Sequence, residues 1–454
     1  MALLLLLQAA LSVRPSLRRA HELHNWTVGV RRELHASPEL LYELHRTAAL
    51  VARTLDELGI PYTDGIGRTG IVATLGAGRP AVGLRADMDA LPIEEVGECE
   101  YKSKEPGKMH ACGHDAHTAM LLTAARMLKE RESELMGTIK LIFQPAEEGV
   151  SWILLLHAST APRAGAGGLR MIQEGVLATE PPIERMYALH VWPGLSSGTI
   201  ASRAGTLMAA AGFFHARFIG HGGHAAMPHT TTDPLLCLSS ALTSVQTVVA
   251  RNTAPVEAAV VSTTFVSGGS AYNIIPDEAV MGGAEGDDGR RCCHGLQELS
   301  PWAALAILMK PRAAMLDCRL ELITSSLHTD CLRQAAPEGA PGSCTFPPTV
   351  NDAGAWELAK QAARELTSVE DVIESQPTMG GEDFAYFLEK VPGAMLFLGI
   401  GNVALRSIKE LRNGPALSKL GCSRLTTTDD SSTAHGQAAT DARCAQGTAM
   451  EAED

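Results

Sequence analysis

The segment His110-Ala-Cys-Gly-His-Asp-Ala-His117 places four nitrogen or sulfur donors, His110, Cys112, His114 and His117, within eight residues. Imidazole and thiolate groups gathered this closely suit a divalent metal ion. A lone histidine or cysteine is usually structural, and a polar helix start around a buried thiol is the plain alternative. Four donors beside Asp115 favour metal. Glu147 and Glu148 form a second chemical pair. At a strand end, one carboxylate can bind metal while its neighbour acts as general base on the attacking water. Alone, such a pair reads as a solvated acidic turn; only its combination with the His/Cys segment turns it toward catalysis.

Other groups carry weaker signals. Arg85-Ala-Asp-Met-Asp-Ala-Leu-Pro92 puts Asp87 and Asp89 directly after a buried strand. There a carboxylate can anchor a ligating imidazole or bond the backbone of a turn. His190 sits at another strand end, where a histidine standing alone reads as a core residue. His221 and His224 lie in the glycine-rich Gly220-His-Gly-Gly-His-Ala-Ala-Met-Pro228, which can approach a ligand closely or form a simple turn. Asn273, in Asn-Ile-Ile-Pro-Asp277, offers an amide to a carboxylate or carbonyl, or serves turn chemistry. Gly380-Gly-Glu-Asp-Phe384 supplies supporting carboxylates or a helix start.

Holding these groups requires strands that end beside them. Apolar residues at helical spacing predict two helices within 26–58, separated at Ser37-Pro38. Short buried strands are expected at 70–75 and 81–84, with Gly76-Ala-Gly-Arg-Pro80 as a hairpin turn. A helix over 117–130 and a strand over 137–143 follow. This alternation predicts an α/β sheet with ligands at the carboxyl ends of its strands. Strands at 213–219 and 258–266 around a helix at 234–251 predict an inserted α+β unit, because helix and strand signals return at 355–366 and 394–398. The expected organisation is a catalytic domain in two parts, 21–205 and 336–405, an inserted lid domain at 206–335, and a flexible tail at 406–454.

With 454 residues, 45% hydrophobic and 20% charged, the chain can bury a full core and is expected to hold two domains. A net charge of −13 argues against nucleic acid, whose phosphates are bound by clustered Lys and Arg; a small-molecule substrate is expected. The ten cysteines lack the paired spacing of a zinc module or a disulfide scaffold and leave the redox compartment open. The start, Met1-Ala-Leu-Leu-Leu-Leu-Leu-Gln-Ala-Ala-Leu, resembles the apolar core of a signal peptide and is too short to span a bilayer. Asn25-Trp26-Thr27 fits a glycosylation acceptor. Residues 1–20 are therefore read as a signal segment leading to the secretory pathway, the endoplasmic reticulum lumen included, and no membrane partner is expected.

Taken in order, these segments resemble the metallopeptidase family of aminoacylases and carboxypeptidases, most closely its plant branch that hydrolyses auxin (indole-3-acetic acid) amino-acid conjugates. The resemblance runs over 26–148, 166–283 and 346–402. It implies an α/β catalytic domain with a di-metal site and an inserted α+β lid that makes dimer contacts, hence a homodimer through the lid. Carried over by motif, Cys112, His114, Glu148 and His190 are the expected metal ligands and Glu147 the general base. Asp89, with Asp87, is its expected catalytic support, and His224 and Asn273 are expected to bind substrate. Two divalent cations are implied, manganese first and zinc as the alternative. The implied reaction is hydrolysis of the amide bond of an N-acyl amino acid, above all an indole-3-acetyl conjugate.

The chain departs from that pattern in three places. After Leu398-Gly-Ile-Gly-Asn402, where the family has a His-Ser-Pro loop with its last metal ligand, it reads Val-Ala-Leu-Arg-Ser-Ile-Lys-Glu-Leu411. Residues 150–163 interrupt the turn after the glutamates, and Ala284-Glu-Gly-Asp-Asp288 stands where a Thr-x-Arg segment is expected. Sharp boundaries with family text on both sides point to altered splicing or a frame error rather than gradual divergence. The missing histidine implies a second reading, an impaired homologue that binds ligand without turnover.

Overall fold

The computed structural model describes residues 13–148, 166–255, 257–287, 309, 313, 316–324, 346–367 and 369–401. The leucine run before residue 13, the apolar run 152–156, most of 286–340 and the expected tail at 406–454 lie outside the described residues. Three helices come first, α1 (Val13–Glu22), α2 (His24–His35) and α3 (His45–Leu58). Leu50, Val51 and Leu55 recur on one face of α3 and are buried against the sheet that follows.

That sheet begins with β1 (Tyr62–Ile66), β2 (Gly70–Gly76) and β3 (Ala81–Asp87), and then come helix α4 (His114–Lys129) and β4 (Thr138–Gln144). Helix α5 (Gly167–Gln173) leads to β5 (Arg185–Ser196), β6 (Ile200–Ser202) and β7 (Gly205–Met208). The hairpin expected at residues 76–80 does not form. β4 lies between β2 and β3, antiparallel to the first and parallel to the second. Leu141, Ile142 and Phe143 are consecutive and fully buried, so β4 is covered on both faces and belongs in the middle of a sheet. Helix α4 also starts earlier than the expected residue 117, at His114, which puts the metal-type donors in its first turn.

A smaller unit follows: β8 (Ala210–Ile219), β9 (Gly223–His224), α6 (Pro234–Val245), α7 (Thr247–Asn252), β10 (Ala259–Gly268), β11 (Ile274–Ile275), β12 (Glu278–Asp287) and β13 (Arg319–Thr324). The helix expected over 234–251 is broken at Gln246. α6 starts where it does because Asp233 accepts the Leu235 and Leu236 N–H groups and Pro234 occupies the first turn. Strands β10, β12, β8 and β13 form an antiparallel sheet in that order. Its core joins Phe214, Phe218 and Met281 to Leu238 of α6, and a disulfide joins Cys237 to Cys318.

The chain then returns through β14 (Thr349–Asn351), α8 (Ala353–Leu366), β15 (Val372–Glu374), α9 (Ala385–Leu388) and β16 (Gly393–Gly401). β14 pairs with β7, so the strands that leave and re-enter the larger layer lie side by side. β16 inserts beside β5, completing the order β1-β2-β4-β3-β5-β16-β6-β15. Among the described residues no helix is long and apolar enough to cross a membrane.

Candidate active site

Strands β4, β3 and β5 run parallel, so their carboxyl ends point the same way. β3 ends at Asp87, with Asp89 just beyond, and β4 ends at Gln144, with Glu147 and Glu148 just beyond. Arg85 pairs with Ala188, which brings His190 of β5 level with Asp87. Two backbone features bring the connecting loops inward. Gly113 adopts φ 94°, and a Cβ there would meet Val191 Cγ2 at 2.5 Å, so only glycine lets the Cys112–His114 turn press on β5. Ala146, fully buried at φ 55°, holds a left-handed conformation that costs a non-glycine residue roughly 1–2 kcal/mol, immediately before the glutamate pair. Strain of this kind is found at functional sites.

Hydrogen bonds set which ring nitrogens remain free. His190 Nδ1 bonds the Val191 carbonyl at 2.8 Å, leaving Nε2 3.3 Å from Cys112 Sγ. His117 Nε2 accepts the Val191 N–H at 3.0 Å, so its Nδ1–H donates to Asp87 at 2.6 Å and neither nitrogen is spare. His114 is different. Both its nitrogens are buried without a hydrogen-bond partner, as is Glu148 Oε1, and His114 Nε2 lies 3.7 to 3.9 Å from Asp87, Glu147 and Glu148. Of four donor sets among the described residues, three share His114: Cys112, His114 and His190; His114, Glu147 and Glu148; and Asp87, His114 and His117, in which His117 is already bonded. Buried lone pairs left unmatched in this way are the environment a divalent cation satisfies, and sulfur, nitrogen and carboxylate donors fit such an ion.

Charge in the site is unbalanced by the protein alone. Burial, with Glu382 and Glu148 close by, pushes Glu147 well above the usual carboxylate range. Burial likewise pushes Glu148 up to about 7 against the opposing charge of His114, with Asp89 adding to the rise. The Cys112 thiol is pushed up by burial and by Glu148. Burial brings His190 down to about 3, with His117 adding to the effect. Burial alone would raise Asp87, but His114, Arg85 and His117 hold it well below its ordinary value. A dication relieves the crowding that keeps these acids from ionising.

Support comes from two buried networks. Asp89 accepts the backbone N–H groups of both Glu147 and Glu148. Arg85 is fully buried and binds Asp87 at 2.6 Å, Gln144 at 2.9 Å and Asp383 at 2.9 Å, with Glu382 at 3.1 Å. Gln144 in turn donates to both Asp383 oxygens at 2.7 Å. On the far side of α4, Asp115 bonds His35 and Arg31, each at 2.7 Å, and His35 reaches Glu95 at 3.1 Å.

A cavity of about 320 Å³ opens on Cys112, Glu147, Glu148 and His190. A separate apolar groove of about 360 Å³ behind the sheet lacks such converging donors. The structure thus gathers Cys112, His114, Glu147, Glu148 and His190 with Asp87 and Asp89 beneath them. Asp89 is buried and bonds backbone rather than facing the cavity. His224 and Asn273 are not brought to this cavity. They sit exposed on the β9–β11 ribbon, outside its described lining. The reason is that the ribbon projects from the smaller sheet beyond Ile219, on the strand end away from Ala211. His110 is buried with neither nitrogen hydrogen-bonded and lies outside all four donor sets.

Sequence reasoning missed the roles of Arg85, Gln144, His35, Arg31 and Glu95. For Arg85 a signal exists, since an arginine within an apolar strand must be paired to be buried. His35 and Glu95 carry no local signal.

A family model for Peptidase family M20/M25/M40 matches residues 83–410. The chain belongs to this family. It is 38% identical over 391 residues to IAA-amino acid hydrolase ILR1-like 4 of Arabidopsis thaliana, covering 86% of this chain and 80% of that protein. It is 37% identical over 375 residues to N-acetyl-L-cysteine deacetylase of Bacillus subtilis (strain 168), covering 82% and 80%. The crystal structure of Bacillus subtilis YXEP protein, a dinuclear metal binding peptidase from the M20 family, has a TM-score of 0.60 at 29% identity and is matched over 84% of this chain and 89% of that one. This M20 member is thus a hydrolase of amide bonds with the α/β fold of the family. Its relatives are named for different acyl groups, so membership defines the bond cleaved and not the group released.

Proposed function

We propose that this chain hydrolyses the amide bond of N-acyl amino acids, with indole-3-acetyl amino acids as its substrates. The observation that carries the reading is the Glu147–Glu148 pair, locked by Asp89 and facing a cavity shared with Cys112 and His190. Two divalent cations held by Cys112, His114, Glu148 and His190, manganese or else zinc, would polarise the amide carbonyl and acidify the attacking water. Glu147 accepts the proton as the water oxygen bonds to the acyl carbon. Glu147 must be ionised to take that proton, and the cations would relieve the burial and the crowding by Glu382 and Glu148 that otherwise favour its acid form. The C–N bond then breaks, and Glu147 returns the proton to the departing amine. His117, bonded to Asp87, holds the Val191 backbone of β5 beside the site, and Asp89 keeps both glutamates in place. The resemblance alone assigns His224 and Asn273 to the substrate's carboxylate or amide oxygen, since both lie outside the described cavity lining.

The test is release of free amino acid from indole-3-acetyl and acetyl substrates by manganese- or zinc-loaded protein. Failure on the whole panel by folded protein would reject the reading. A second reading, a homologue that binds without turnover, is motivated by the sequence Val-Ala-Leu-Arg-Ser after Asn402, which has no His-Ser-Pro. Calorimetric titration separates the two: two tight divalent sites support the hydrolase, and one or none supports the impaired form.

Secretory localisation, in the endoplasmic reticulum lumen, and a homodimer through the smaller unit belong to the same proposal. The Cys237–Cys318 disulfide supports an oxidising compartment. For the dimer, the support is edge strand β10 and the exposure of Val266, Tyr272 and Ile274. Glycan analysis at Asn25 and analytical ultracentrifugation test the two.

A further inference from the structure

The cavity wall facing Cys112, Glu148 and His190 is built by the smaller sheet and by two segments beside it. Phe213 of β8, Ala284 of β12 and Ser262 of β10 stand in register across three adjacent strands, because Ala284 pairs with both of the others. All three line the cavity, as do Val260, Phe346 and Met379. Phe346 is held in place by a two-way backbone bridge to Ala211, at 3.0 and 2.8 Å. Gly381 lets the next loop close on it, since a Cβ there would meet Ala211 Cβ at 2.3 Å and Phe346 Cδ2 at 3.2 Å.

An N-acyl amino acid has one charged end and one uncharged end. The described lining carries the carboxylates Glu147, Glu148 and Glu382 and, among the described residues, no Lys or Arg. The wall of Phe213, Val260, Ser262, Ala284, Phe346 and Met379 offers no cation, so an α-carboxylate directed into it would lose its hydration without a compensating partner. The uncharged acyl group would replace apolar wall–water contact with apolar contact. At about 320 Å³ the cavity is near the lower bound, roughly 300 Å³, for ligand pockets. That volume is shared by the whole substrate, and along the apolar wall an aromatic ring makes more contact than a two-carbon acyl group can.

We propose that Phe213, Val260, Phe346 and Met379 form the acyl subsite and that the small Ala284 and Ser262 set its depth, so that it selects a planar aromatic acyl group over acetyl. This rests on the proposed hydrolysis of N-acyl amino acids.

The experiment compares kcat/KM on indole-3-acetyl-alanine and N-acetyl-alanine for the wild type, Ala284→Leu and Phe346→Ala. Ala284→Leu fills the subsite, and the indole-to-acetyl ratio of kcat/KM is expected to fall about tenfold or more, the effect of methylene-sized changes in an apolar pocket. Phe346→Ala removes a wall rather than adding bulk, is also expected to lower the ratio, and decides the matter if Ala284→Leu does not fold. An unchanged ratio in the folded variants overturns the proposal. If the wild type cleaves neither substrate, the functional reading fails, and calorimetric binding of indole-3-acetate judges the subsite instead. Weaker binding by the variants then supports it, whereas equal binding by all proteins, or none by the wild type, overturns it.

Discussion

Asp89 fixes Glu147 through the backbone: one of its carboxylate oxygens accepts the Glu147 N–H and the other the Glu148 N–H, each at 3.0 Å. Because Asp89 is buried, no water can replace it. Asp89→Asn keeps the shape but turns one acceptor into a donor facing an N–H. It is expected to lower kcat by about 10–100-fold, the usual cost of removing an outer partner of a metal site, with circular dichroism unchanged. A folded variant with wild-type kcat would show that the glutamates hold their position without it.

Removing divalent cations should destabilise the protein as well as inactivate it. His114 and Glu148 have buried atoms without partners, and Glu147, Glu148 and Glu382 repel one another. A cation present at a hundredfold its dissociation constant stabilises by about 2.7 kcal/mol. The urea midpoint is therefore expected to drop on chelation and to recover with added manganese or zinc. In Glu148→Gln, the drop should shrink. A midpoint indifferent to chelator, in protein that elemental analysis shows to have lost metal, would contradict this.

The buried His35 cluster predicts a pH dependence of stability. Burial opposes charge on the His35 ring, but its bonds to Asp115 and Glu95 prevail and raise its pKa above 6.5. A raised folded pKa contributes stability that is fully present below the unfolded value and is lost as pH rises through the folded one. The wild type should lose stability on the alkaline side of 6.5, and His35→Gln should show less of this loss. Urea titrations at several pH values check it. The same alkaline loss in both proteins would assign it to other groups.

Cys237 and Cys318 are 81 residues apart and cross-link α6 to the start of β13. Breaking a native disulfide of this span is expected to cost about 2–4 kcal/mol. Cys237→Ser and Cys318→Ser should each lower Tm, and the double variant should add little, since one bond is lost in all three. Tm shifts that simply add would mean that the two residues act independently.

The chemistry was legible because its signals are local. Cys112 and His114 flank one glycine at a helix start, and Glu147 and Glu148 are neighbours after a strand, so spacing alone brings their donors together. The supporting shell was not legible. Arg85 meets Asp383 across 298 residues, and His35 meets Asp115 across 80. No period or spacing in a single sequence records such a contact. The hairpin expected at residues 76–80 failed for a related reason. A turn sequence shows that the chain reverses but not which strand fills the adjacent place, and β4 took it because both its faces are apolar.

By itself, then, the sequence determined the donor types and the alternation of strands and helices, because these depend on residues close together in the chain, while the bond attacked followed from the resemblance of its motifs, taken in order, to a known family. Only the tertiary structure decided that the Cys112–His114 turn meets His190 and the Glu147–Glu148 pair. It left both His114 nitrogens without a hydrogen bond, occupied both nitrogens of His117, and set a wall of Phe213 and Phe346 against the glutamates. It also left His224 and Asn273 on an exposed ribbon. Each of these outcomes depends on how strands distant in sequence register against one another, and that register follows from burying apolar faces across the whole fold.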